Sequence, residues 1–143
     1  MSQINVQFAV ASHIMAALGS RGGEPIRSNV LAGSVNADPS FVRRVVSKLA
    51  KAGLVTTTRG KLGACALARP AAQITLLDIY RASAAPAPAA CAMHCYTVSE
   101  DCRVSRNIKG CMEGMLQEAQ ASFEGSLARR TLEEVVAGIA QSP

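Results

Sequence analysis

Tryptophan is absent from the 143-residue sequence, and aromatic residues make up only 3% of it. With apolar residues at 49%, a core has to be built from Ala, Val, Leu, Ile and Met, which favours helices packed closely through small side chains. No run of about eighteen apolar residues is present to span a bilayer, and the N-terminus lacks a basic segment followed by an apolar stretch and a cleavage site. The expectation is a soluble, cytoplasmic chain with no membrane partner. No C-x-x-C, no Ser/His/Asp set and no paired carboxylates are visible, and there are only two histidines, so the pattern of an enzyme is missing. Five cysteines, Cys65, Cys91, Cys95, Cys102 and Cys111, are an odd number without an export signal, which speaks against a disulfide framework and for metal or redox chemistry.

Charge is unevenly spread. Residues 1–81 hold ten Lys and Arg against three acids, whereas residues 82–143 hold five against seven. A polyanion should therefore meet the first half of the chain. The length suits one compact body with an appended arm.

Apolar residues Ile4, Phe8, Ala11, Met15 and Leu18 fall on one helical stripe, which Gly-rich residues 19–25 stop. Ser28 is placed to cap a short helix carrying Val30, Leu31, Ala32 and Val35. After a turn through Asn36 and Ala37, Asp38 followed by Pro39 is a strong start for a second helix running to Ala52, stopped by Gly53. Its apolar positions are Phe41, Val42, Val45, Val46 and Leu49, and its basic ones are Arg43, Arg44, Lys48 and Lys51. Two helices joined by so short a turn have the shape of a helix-turn-helix. Leu54 to Thr58, a basic tip with Arg59 and Lys61, and Ala64 to Ala68 read as a hairpin, the wing of a winged helix.

Thr75 with Asp78 opens a further helix through Arg81, and Thr131 with Glu134 opens a last one through Ile139. Between them, residues 83–90 (SAAPAPAA) form a Pro/Ala loop, and residues 91–102 a short irregular segment. From Arg103 the apolar residues Val104, Ile108, Met112, Met115, Ala119, Phe123 and Leu127 recur along a stripe too long for a small domain to bury alone, which predicts packing on a twin in a homodimer. The expected fold is thus mainly α with a small β-hairpin wing. Residues 1–82 form a winged helix-turn-helix, 83–103 a cysteine-containing loop, and 104–143 a dimerisation helix and a terminal helix.

Three stretches, DPSFVRRVVSKLAKAGLV, TRGKLGA and LARPAAQITLLDIYRA, resemble the Rrf2 family of bacterial transcription regulators, and the similarity extends from about Ile4 to Val136. The resemblance implies a dimeric winged helix-turn-helix regulator that binds a palindromic double-stranded DNA site, and the leading expectation for this chain is a homodimeric repressor. Carried over by position, Ser40, Arg43 and Arg44 would face base edges and phosphates, and Arg59 would enter the minor groove. Arg27, Ser28, Lys48 and Lys61 complete the expected DNA-binding set. Many relatives have Gly-Gly-Tyr-Arg at the return of the wing, where this chain has Gly63-Ala64-Cys65-Ala66, so a ring and a positive charge are missing.

Cluster-binding members use three cysteines in the loop before the long helix, where Cys91, Cys95 and Cys102 lie. Their C-x3-C-x6-C spacing departs from that pattern. Gln7 and Ser105 occupy the places of an Asp and a His that serve as fourth ligands in relatives, leaving His94, Cys111 or an external thiol as substitutes. Three thiols within twelve positions either share a metal or oxidise against each other, and Arg103, Arg106 and Lys109 put positive charge beside Cys102, which keeps a thiol reactive. An iron-sulfur cluster and cofactor-free thiol oxidation are the two forms such a sensor loop takes, against a regulator with idle cysteines that answers to a protein partner or ligand. Cys65 and Cys111 read otherwise as packing residues, Tyr80 as a core residue, and His13 as a residue with no role.

Overall fold

The computed structural model describes residues 3–58, 63–83 and 97–143, with side chains from Val6 onward. Its elements, in chain order, are α1 (Gln3–Ser20), β1 (Ile26–Arg27), α2 (Ser28–Val35), α3 (Pro39–Lys51), β2 (Val55–Thr57), β3 (Ala64–Leu67), a 3-10 turn (Ala71–Gln73), α4 (Leu76–Ser83), α5 (Arg103–Ala128) and α6 (Leu132–Ala140).

The helix-turn-helix forms as its local chemistry dictates. Asn36 ends α2 in the left-handed conformation (φ 56°), a geometry that Asn tolerates better than most residues. The Asp38 carboxylate accepts a 2.7 Å hydrogen bond from the Ser40 amide, satisfying one of the free donors at the start of α3. Gly53, at φ 76°, turns the chain out of α3 into the hairpin, as a glycine after a helix commonly does. From there β2 pairs with β3 in antiparallel register, Val55 opposite Leu67 and Thr57 opposite Cys65.

Two local expectations are corrected. Ser28 does not cap α2: Arg27 holds the cap position without a side-chain hydrogen bond, and the Ser28 hydroxyl donates instead to the Gly63 carbonyl (3.4 Å). The cause is β1, a two-residue strand too short to read from periodicity, which pairs with β3 and makes the hairpin a three-stranded sheet of order β1-β3-β2. Ser83 is likewise not loop but the last residue of α4, fully buried, with its hydroxyl on the Tyr80 carbonyl (3.0 Å).

One core joins all the elements except α5. Ala11, Ile14, Met15 and Leu18 of α1 meet Leu31 of α2, Val42, Val45 and Leu49 of α3, Ile79 of α4 and Leu132 of α6. The two capping boxes, Thr75 with Asp78 and Thr131 with Glu134, lie side by side: Thr75 and Thr131 form a β-bridge, and the Leu132 amide donates to the Ile74 carbonyl (2.8 Å). Residues 104–143 are therefore not independent of the first half, because α6 belongs to the same core. Tyr80 anchors α5 through an edge-to-face contact with Phe123 (5.2 Å) and meets Phe8 of α1 in the same way (5.4 Å). Within the single chain α5 has no buried residue. No helix among the described residues is long and apolar enough to cross a membrane.

Candidate nucleic-acid interface

The exposed side of α3 begins with Ser40, Arg43 and Arg44, all solvent-facing. Arg43 Nη2 donates to Ser40 Oγ at 3.3 Å, and the Arg44 guanidinium lies 5.6 Å from the centre of the Phe41 ring, within cation–π range. Each guanidinium thus has a partner three residues back on the same helix, which holds a long, entropically costly side chain near one geometry.

Arg43 also lines a groove of about 360 Å³ with Ser28 and Asn29 from the start of α2, Ala37 from the turn and Pro39 at the start of α3. Ser28 in turn is tied to the root of the wing: its amide donates to the Gly63 carbonyl at 3.2 Å. The start of α2, the start of α3 and the base of the hairpin therefore share one side of the molecule, with exposed Arg27 at its edge. Arg59 and Lys61, which the sequence pattern puts at the tip of the hairpin, lie outside the described residues. Lys51 is exposed in the last turn of α3.

Lys48 is placed differently. It is half-buried, and its ammonium donates to Gln7 Oε1 of α1 at 2.5 Å and to the Ser83 carbonyl of α4 at 3.5 Å. The sequence puts Lys48 in the DNA-binding set with Arg43 and Arg44, whereas here its ammonium is turned inward: a flexible four-carbon stem lets the charge reach oxygen acceptors on neighbouring helices. Sequence spacing sets where the Lys48 Cα lies on the helix, and only the neighbours decide where its ammonium goes.

Of the candidate sensor residues, Cys91, Cys95 and His94 lie outside the described residues. Cys102 is exposed and caps α5, its sulfur accepting from the Ser105 amide at 3.5 Å. Cys111 is also exposed, so it does not pack within the single chain. It lies nine residues further along the helix, about 13 Å at 1.5 Å per residue and half a turn round, too far to share one cluster with Cys102 in the same chain. The other two places for a fourth ligand do not fit either: the Gln7 oxygen is taken by Lys48, and Ser105 Oγ accepts from the Ser99 amide (2.9 Å). No group of three His, Cys, Asp or Glu among the described residues could hold a metal ion. Cys65 is 3% exposed within the sheet; burial pushes its thiol above the usual 9.0, partly offset by a side-chain hydrogen bond with Ser28. His13, for which the sequence offered no role, meets Ser34 of α2 at 3.0 Å.

A tri-helical head, a short turn between α2 and α3, and a hairpin rooted against the start of α2 define a winged helix-turn-helix protein of the DNA-binding class. Residues 4–138 match the Rrf2 family, described as an iron-dependent transcriptional regulator, and the chain belongs to that family of regulators, which are not enzymes. It is 33% identical over 137 residues to YwnA of Bacillus subtilis (strain 168), named as an HTH-type transcriptional regulator, covering 93% of this chain and 96% of that one. In fold it is similar to CymR (YrzC), the global cysteine regulator of B. subtilis, with a TM-score of 0.65 at 24% identity, covering 96% of this chain and 98% of that one. It is similar also to T. potens IscR, with a TM-score of 0.69 at 21% identity, covering 96% and 89%.

Proposed function

We propose that this regulator is a homodimeric repressor that reads a palindromic promoter site with Ser40, Arg43 and Arg44, steadied on the backbone by Arg27, Ser28 and the wing residues Arg59 and Lys61. The observation that carries the reading is the shared groove: Arg43 of α3 and Ser28 of α2 line it together, and Ser28 is bonded to the root of the wing. Two such heads, related by a two-fold axis, meet successive major grooves one helical turn apart. Neutralising about six phosphates per dimer makes affinity fall on the order of 10³-fold between 50 and 200 mM salt.

Cys91, Cys95 and Cys102 modulate this binding through thiol oxidation, in which two thiols give up two electrons and two protons to an oxidant such as hydrogen peroxide and form a disulfide. The exposure of Cys102 supports this form. The iron-dependent description of the family favours a second one, a cluster on the same three cysteines whose fourth ligand comes from outside the chain. A gel-shift titration on the upstream region of the protein's own gene, reduced and peroxide-treated, tests the reading. A redox-dependent shift is expected, and identical binding in both states removes the sensing half. The visible spectrum of anaerobically isolated protein separates the two forms, since a cluster is brown and bare thiols are colourless.

A further inference from the structure

Of the four cations on α3, Lys48 alone is turned into the body. Its ammonium joins three helices: the recognition helix α3 that carries it, α1 through Gln7 Oε1 (2.5 Å), and the end of α4 through the Ser83 carbonyl (3.5 Å). A lysine at the C-terminus of a helix is favoured by the carbonyls left free there, and a hydrogen bond from a charged donor is roughly twice as strong as a neutral one. Nearby, Val45, Val46 and Leu49 hold α3 to the core by apolar contact alone, which resists separation but is undirected. Lys48 supplies the directional link.

We propose that Lys48 is a positioning residue for DNA binding and does not itself touch DNA: it fixes the seat of α3 against α1 and the end of α4, and so sets the angle at which Arg43 and Arg44 meet the duplex. The inference rests on the reading of α3 as the recognition helix. Its consequence is that Gln7, on α1 and outside the proposed DNA-binding set, contributes to operator affinity. Ser83 is also the last residue of α4, so a displacement of that helix end would be felt by α3 through the same ammonium.

The test is fluorescence anisotropy of full-length wild type, Lys48→Met, Lys48→Arg and Gln7→Leu on a labelled duplex of the upstream region, each across 50–200 mM salt. Thermal unfolding of every variant is followed alongside. Lys48→Met and Gln7→Leu are each expected to lose about tenfold in affinity, the weight of one charge-assisted hydrogen bond, with the salt slope unchanged and Lys48→Arg close to wild type. A salt slope shallower by about 0.9 in Lys48→Met, the signature of one phosphate no longer neutralised, with Gln7→Leu unaffected, would overturn the proposal in favour of a direct role on the DNA backbone. Wild-type affinity in both variants overturns it as well. If Lys48→Met fails to fold, Gln7→Leu, which leaves α3 untouched, decides alone. Failure of wild type itself to bind the duplex condemns the underlying reading of α3, a result distinct from all of these.

Discussion

At the scale of single residues, the guanidiniums of Arg43 and Arg44 are each held by a neighbour three positions back, Ser40 and Phe41. An arginine that pairs with a guanine contributes ~1–3 kcal/mol of discrimination. Arg43→Ala should therefore relax preference at one operator position, and a mutated-site competition assay on each half-site would show it. Equal weakening on every sequence would mean that Arg43 touches only phosphate. Cys65 gives a pH prediction. Its thiol is raised by burial above 9.0, so the folded state keeps a proton that the unfolded chain loses first. That contribution to stability is complete below about pH 9 and is lost as pH rises above it. Urea unfolding at pH 8 and pH 10 should show a smaller loss for Cys65→Ala than for wild type, and parallel losses would exclude the thiol as the source.

At the scale of elements, α3 starts where local chemistry says it should, with the Asp38 carboxylate on the Ser40 amide at 2.7 Å. Removing that acceptor by Asp38→Ala costs about 1 kcal/mol of stability, measurable as a lower denaturation midpoint with the m-value unchanged. Helix α5 shows how far a periodic pattern can be read. Its apolar stripe is real, but the structure divides it. Phe123 turns to Tyr80 at 5.2 Å, and Glu124 pairs with Arg81 at 3.6 Å, so the C-terminal part of the helix lies on its own body. Val104 and Met115 remain 67% and 65% exposed. The sequence could not show this division, because a helical period reports that a face is apolar and not which neighbour covers it.

For the whole molecule, those two exposed residues carry the proposed dimer, since burying each removes roughly 1.5–3 kcal/mol worth of apolar surface from water. Val104→Ser with Met115→Ser should convert a particle of twice 14.9 kDa to one of that single mass by sedimentation. Operator affinity should fall with it, because one head can no longer borrow the effective concentration supplied by the other. An unchanged mass would place the subunit interface elsewhere.

The residues alone determined the starts of α3, α4 and α6, the turn between α2 and α3, the two strands of the hairpin and the family, because caps, breakers and apolar periods act within a few positions along the chain. They left undetermined the strand β1, the inward turn of Lys48 and the joining of the two capping boxes at Thr75 and Thr131. Each of these is a meeting of groups dozens of residues apart. Local preference does not encode which distant carbonyl or amide will be near, and only the packed chain supplies that partner.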